Sequence, residues 1–257
     1  MLNQQNNKTE SIEKHFLLEL FNFKIFCKEK KFLPTEITNK KLLVNTINPH
    51  VFSLSTKNKK LHESFKNSDF LVMDGLYFGL ASLLLKFKKL PKISGTDLLY
   101  FYLDLANKKK YRVFFMGSSE KVLSKIKKRI DESYKQICVE SISPPFKESF
   151  SPEENKAILK KINEFKPNIL FVGMTAPKQE IWAYEEKQNL ECNLICPVGA
   201  AFDWFAGERK QPERIWVFLG LEWFIRTLRR PEILKRYPSY LSFFWYLFLN
   251  IIKLRKD

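Results

Sequence analysis

Histidine is scarce and cysteine is unpaired in this chain. Its 257 residues hold three histidines (His15, His50, His62) and four cysteines (Cys27, Cys138, Cys192, Cys196). No C-x-x-C occurs, so neither a structural zinc site nor a thioredoxin-like redox pair is written here. Isolated thiols of this kind suit a reducing compartment, and Cys192 and Cys196, in or beside a strand pattern, are expected to be buried. G-x-x-x-x-G-K-[ST] and G-x-G-x-x-G are both missing, which weakens a P-loop or a dinucleotide fingerprint. A D-x-D pair, the usual means of holding a divalent metal against a diphosphate, is also missing. The first ten residues, MLNQQNNKTE, contain no apolar signal core, so export is not expected. The strongest apolar run, Leu241 to Ile252, falls short of the ~20 residues needed to span a bilayer.

What is present is positive charge and apolar side chains in number. The formal charge is +16 and hydrophobic residues make up 45%, enough for a core and suggestive of anionic partners: nucleic acid, phosphate-rich ligands or a membrane surface. Lysine is the default cation. Of nine arginines among 44 basic residues, seven lie between Arg209 and Arg255, where even scatter would place fewer than two. Clustered arginine implies sites that use a planar, multi-donor guanidinium, with a solvated basic face as the plainer alternative.

Short apolar runs alternate with amphipathic segments. Leu42–Thr46, Phe70–Met73, Tyr111–Met116, Ile169–Val172 and Asn193–Val198 read as buried strands, and Glu120–Tyr134 and Pro152–Phe165 as helices. This alternation predicts an α/β fold, a Rossmann-like and mainly parallel sheet flanked by helices, with a helical C-terminal membrane-binding appendage. Residues 1–10 read as a disordered start, 11–208 as the core and 209–257 as the basic, aromatic appendage. Deleting the chain from Tyr237 onward is expected to leave that core folded, because the five strand units lie upstream. The segment before Thr38 reads equally as helix or strand.

Ligands of such sheets bind beyond the carboxyl ends of the strands. "NTINPH", "MDGLYFG", "MGSSEK", "VGMTAPKQE" and "VGAAFDWFAG" each follow a strand. Their glycines, Gly117 and Gly173 among them, would let backbone approach a ligand, and helix starts offer N–H donors to phosphate. "MGSSEK" also reads as an ordinary cap on Ser118 or Ser119. The carboxylates available for proton transfer are Asp74, Asp97, Glu180 and Asp203. An Asp-Gly turn is the plainer reading of Asp74, and complementation of a helix dipole that of Glu180.

Taken in order, "TINPHV", "MDGLYFG", "KISGTDLL", "VFFMGSSE", "PPF", "VGMTAPKQEIW", "VGAAFDWFAGERKQP" and "GLEWFIRTLRRPEILKRY" resemble the WecG/TagA/CpsF glycosyltransferases, glycosyltransferase family 26. The resemblance spans about Leu42 to Tyr237; residues before Leu42 match poorly. It implies transfer, with inversion, of N-acetylmannosamine, its uronic acid or a related hexose. The donor would be a UDP-sugar and the acceptor a polyprenyl-diphosphate-linked sugar, at the inner face of a bacterial membrane in cell-surface polysaccharide synthesis. No cofactor and no metal are implied. By the same resemblance Asp74 is the general base, beside Thr46 and Asn48, and Gln179 faces the UDP-sugar with Lys178 adding charge. Asp203 binds nucleotide or orients a loop, Ser118 and Gly173 border the donor, and Arg226 and Arg236 offset charge on departing UDP.

Two positions depart from the family pattern: Lys92 stands where arginine precedes Gly-x-Asp, and Lys210–Pro212 reads Lys-Gln-Pro for Arg-Ala-Pro. Lysine keeps the charge but loses the bidentate fork. The aromatic end after Pro238 reads as an interfacial helix on anionic lipid, or alternatively as a core or dimer helix. Partners expected are therefore UDP-sugar, the lipid-linked acceptor and an anionic membrane surface, without nucleic acid and with homo-oligomerisation left open. A noncatalytic UDP-sugar-binding scaffold and a basic nucleic-acid-binding protein are the alternative functions.

Overall fold

Apolar runs bounded by glycine, proline and asparagine become strands, as their length dictates. The computed structural model describes residues 16–37, 40–208 and 231–254. An antiparallel hairpin comes first, β1 (Leu17–Leu20) and β2 (Phe23–Phe26), joined by Phe21 and Asn22, both at positive φ. Six strands then form one parallel sheet: β3 (Leu42–Ile47), β4 (Phe70–Met73), β5 (Arg112–Gly117), β6 (Cys138–Ile142), β7 (Ile169–Gly173) and β8 (Leu194–Pro197). Their order is β4-β3-β8-β7-β5-β6.

Side-chain alternation divides the core. Val113 and Phe115 of β5, with Ile169 and Phe171 of β7, face the helices Gly95–Lys109 and Glu120–Ser133. Phe114, Met116, Leu170 and Val172 face the helices Pro152–Phe165 and Lys178–Glu185 on the opposite side. All five residues of β7 are buried, as a central parallel strand covered on both faces requires. Cys192 and Cys196 are buried as well.

The α/β expectation is met, with two corrections. The sheet has a sixth strand, β6, whose residues are half-buried or exposed; less covered than β4 at the other edge, it needs no apolar run and so leaves little trace in the sequence. The segment left ambiguous before Thr38 is the hairpin, and its tip is core: the Phe21 ring lies 4.9 Å from Phe52 and 5.8 Å from Phe243.

That last contact corrects a further expectation. The C-terminal helix, Tyr237–Leu254, inserts Phe243 and Leu247 into a cluster with Val51, Phe52 and Phe78. The segment is not a dispensable attachment at this end. Residues 1–10, the 208/209 boundary and Lys210–Pro212 involve positions outside the described residues.

Candidate active site

Beyond the carboxyl ends of the strands lies a cleft of about 2930 Å³. Thr46, Asn48, Asp74, Lys92, Ser118, Gly173, Lys178, Gln179, Asp203 and Arg236 all border it. Gly117 is not among the lining residues, and Arg226 lies outside the described residues.

The parallel register explains why the residues around Asp74 meet. Ile47 of β3 pairs with Met73 of β4, and the Asp74 N–H donates to the Ile47 carbonyl at 2.8 Å. Thr46, Asn48 and Asp74 therefore emerge side by side from two neighbouring strand ends. Asn48 is partly spoken for: its Oδ1 accepts from the N–H groups of His50 and Val51, capping the helix Pro49–Ser55. Asp97 is similarly engaged, closing a capping box with Ser94 and taking its Oγ–H at 2.6 Å.

The glycines serve packing. A Cβ on Gly173 would sit 2.3 Å from the Phe202 ring. Gly117, at φ +115°, would place one 2.5 Å from the Gly173 carbonyl oxygen. They let β5, β7 and the helix Ala201–Phe205 close together, and Gly117 does so behind the cleft wall. Ser119, not Ser118, caps the helix Glu120–Ser133; Ser118 is left on the cleft and its carbonyl accepts from Ser143 Oγ at 2.6 Å.

The loop that opens the helix Lys178–Glu185 is built inward. Gln179 is buried, its Oε1 accepting from Met174 N–H at 3.3 Å and its Nε2 donating to Glu180 Oε1 at 2.8 Å. Glu180 is 2% exposed, and its Oε2 has no hydrogen-bond partner among the described residues. Burial pushes its carboxyl up to about 7, against weaker lowering by Gln179. Glu180 remains the acidic residue of this helix's first turn, where the dipole favours its charge while burial opposes it. The Lys178 ammonium donates to the Lys147 carbonyl at 2.6 Å and lies 3.5 Å from the Phe150 ring centre. Burial lowers its pKa.

Sequence reasoning passed over His50, which lines the cleft one residue into the helix after β3. Its Nδ1 lies 3.1 Å from Ser239 Oγ. Burial, and then the Arg236 guanidinium, bring its pKa down to about 4, so the ring is neutral at neutral pH. Its place in "NTINPH", a strand-end loop, was the available signal. The C-terminal segment closes this end of the cleft with Arg236, Tyr237, Tyr240 and Phe244. Among the described residues, no three histidine, cysteine or carboxylate side chains gather as a metal-ligand set.

Comparison with known proteins gives a consistent result. The family model for the glycosyl transferase WecG/TagA/CpsF family matches residues 19–257. The match thus starts in the hairpin, well before Leu42, and runs past Tyr237. Two relatives from Staphylococcus aureus, strains NCTC 8325 / PS 47 and COL, are each 28% identical over 215 residues, 82% of this chain and 82% of theirs. Both are named N-acetylglucosaminyldiphosphoundecaprenol N-acetyl-beta-D-mannosaminyltransferase.

Proposed function

The chain belongs to the WecG/TagA/CpsF family of glycosyl transferases, and from that premise we propose that it transfers a hexose from a UDP-sugar to a polyprenyl-diphosphate-linked sugar. The hexose is N-acetylmannosamine, its uronic acid or a related sugar, and the setting is the inner face of the cell membrane. The relatives' name, which specifies a diphosphoundecaprenol acceptor, supports the acceptor class. The observation that carries the reading is the meeting of Asp74, Thr46 and Asn48 at the ends of β3 and β4, in a cleft that Arg236 also borders.

In this reading Asp74 takes the proton from the acceptor hydroxyl as its oxygen attacks C1 of the donor sugar. The bond from C1 to the diphosphate breaks on the opposite face, so the configuration inverts. A positioned carboxylate base contributes ~10²–10⁴-fold. Arg236 and Arg226 offset the charge left on UDP, with Lys92 as a further cation. The step is read as metal-independent, with the cationic lining of Lys92, Lys178 and Arg236 meeting the diphosphate. Gln179 presents its amide edge to the donor, held by Met174 and Glu180.

The membrane reading has support of its own. No helix among the described residues is long and apolar enough to cross a membrane, while Leu241, Trp245 and Phe248 stand exposed on the C-terminal helix. Contact with anionic lipid there would bring the enzyme to its acceptor. The deciding experiment is a thermal-shift panel of UDP-sugars, followed by transfer from the stabilising donor to a short-chain polyprenyl-diphosphate N-acetylglucosamine. No stabilisation by any UDP-sugar and no product would remove the donor assignment.

A further inference from the structure

Among the described residues, every exposed large apolar side chain except Phe32 and Phe146 lies on one of two segments, 76–87 and 234–252. The second is the C-terminal segment. The first is the helix Leu76–Lys86 with Phe87 at its left-handed C-cap. Leu76, Leu80, Leu83, Leu84 and Phe87 are exposed, Phe87 by 90%, and recur at i, i+4, i+7, i+8 and i+11, one continuous helical stripe. The opposite face of the same helix buries Phe78, Ala81, Ser82 and Leu85. Soluble surfaces rarely leave such a stripe open unless something apolar covers it.

The two stripes are joined. Phe78 stacks on Phe243 at 5.5 Å between ring centres and Tyr77 meets Phe244 at 5.2 Å, which packs the two helices together. Both stripes reach the rim of the same cleft, through Leu76, Leu80 and Leu83 of the one helix and Leu241 and Phe244 of the other. The charges complete the pattern. Lys86, Lys88 and Lys89 are exposed around Phe87, and the stretches 75–93 and 237–254 contain no aspartate or glutamate. An apolar stripe edged only by lysine matches an anionic bilayer surface, where each cation near the headgroups adds ~1 kcal/mol.

We propose that the helix Leu76–Lys86 and Phe87 form a second membrane contact, which with the C-terminal helix seats the cleft rim on an anionic bilayer. The inference rests on the membrane reading above and adds to it a wall on the Asp74 side of the cleft. Held by these two adjacent helices, the cleft opens at the headgroup level. The acceptor's diphosphate and first sugar then reach Asp74 while its hydrocarbon chain stays in the membrane.

The test is flotation of the full chain with phosphatidylglycerol-containing vesicles and with pure phosphatidylcholine vesicles. Two variants carry it: Leu84→Ser with Phe87→Asn, and Lys86→Glu. None of these side chains lines the cleft, and asparagine tolerates the left-handed backbone at position 87. The apolar variant should lose about tenfold or more in vesicle affinity, since each anchor lost forfeits burial comparable to a decade in binding. Lys86→Glu should weaken binding to anionic vesicles and leave phosphatidylcholine binding unchanged. Melting temperature and circular dichroism should match the parent. Parent-like flotation of both variants would overturn the second contact while leaving the C-terminal one standing. If the parent chain binds neither vesicle, the membrane reading falls with it. Conversion of a dimeric parent to a monomer with flotation unchanged would reassign the stripe to contact between two copies.

Discussion

Gln179 gives one amide proton to Glu180, its neighbour in sequence, at 2.8 Å, while the other Glu180 carboxylate oxygen is buried with no hydrogen-bond partner among the described residues. A half-satisfied buried carboxyl holds its proton. Its pKa stands near 7, against an ordinary value of 4.5, because burial penalises the charged form. The folded state therefore binds this proton more tightly than the unfolded chain does. Below pH 4.5 both are protonated and the site costs nothing. Between about pH 4.5 and 7 the unfolded chain ionises first, so stability from this site falls as pH rises and levels off above 7. The full effect is about 3 kcal/mol. Glu180→Gln keeps an oxygen for the Gln179 amide and removes the ionisation. It should be more stable than the parent at pH 8 and indistinguishable near pH 4, read from urea midpoints at both. Identical pH dependence in the two proteins would show that Glu180 does not titrate in this window.

Asp74→Asn tests the base. The substitution preserves shape and the backbone bond to Ile47, so folding and UDP-sugar affinity should stay within a few-fold. Transfer should fall by at least ~10²-fold, in kcat more than in KM. Near-normal turnover would take Asp74 out of the mechanism.

Activity should survive EDTA. In the proposed mechanism the diphosphate is met by guanidinium and ammonium groups, and neither donor binding nor transfer should need Mg²⁺ or Mn²⁺. Complete loss on chelation, restored by Mn²⁺, would falsify the metal-free account.

The legible parts of the molecule were those where one residue type answers to one physical demand. β3, β4, β5, β7 and β8 are largely buried on both faces, and their mainly apolar runs, broken in β3 by Asn45 and Thr46, record it. β6 is half-buried or exposed along its length, unlike β4 at the other edge, and its Cys138–Ile142 sequence carries no comparable signal. The cleft residues could be found because strand ends converge in any parallel sheet. Their individual roles were less accessible, since a glycine spared for a ligand and one spared for Phe202 look alike in sequence. For Glu180 the first-turn position is visible in sequence, whereas its burial depends on packing contributed by distant elements. Ser64, for example, donates to the Glu180 carbonyl from 116 residues away.

The C-terminal helix holds both kinds of residue, and point substitutions should separate them. Phe243 is fully buried, packed on Phe21, Phe52 and Phe78, while Trp245, two residues on, is 63% exposed. Removing the Phe243 ring empties a space bounded by the hairpin tip and two helices that cannot readily collapse. Phe243→Ala should therefore cost about 3–5 kcal/mol. Trp245→Ala should stay within ~0.5 kcal/mol of the parent yet weaken vesicle binding. By the same reasoning, deletion from Tyr237 strips Phe243 and Leu247 from the core and should yield a destabilised, aggregation-prone chain. Lost flotation of that truncation would then say nothing about lipid. Urea unfolding of the two point variants, beside flotation of each, decides the matter. Equal stability losses at Phe243 and Trp245 would mean that the helix does not dock with the face described here.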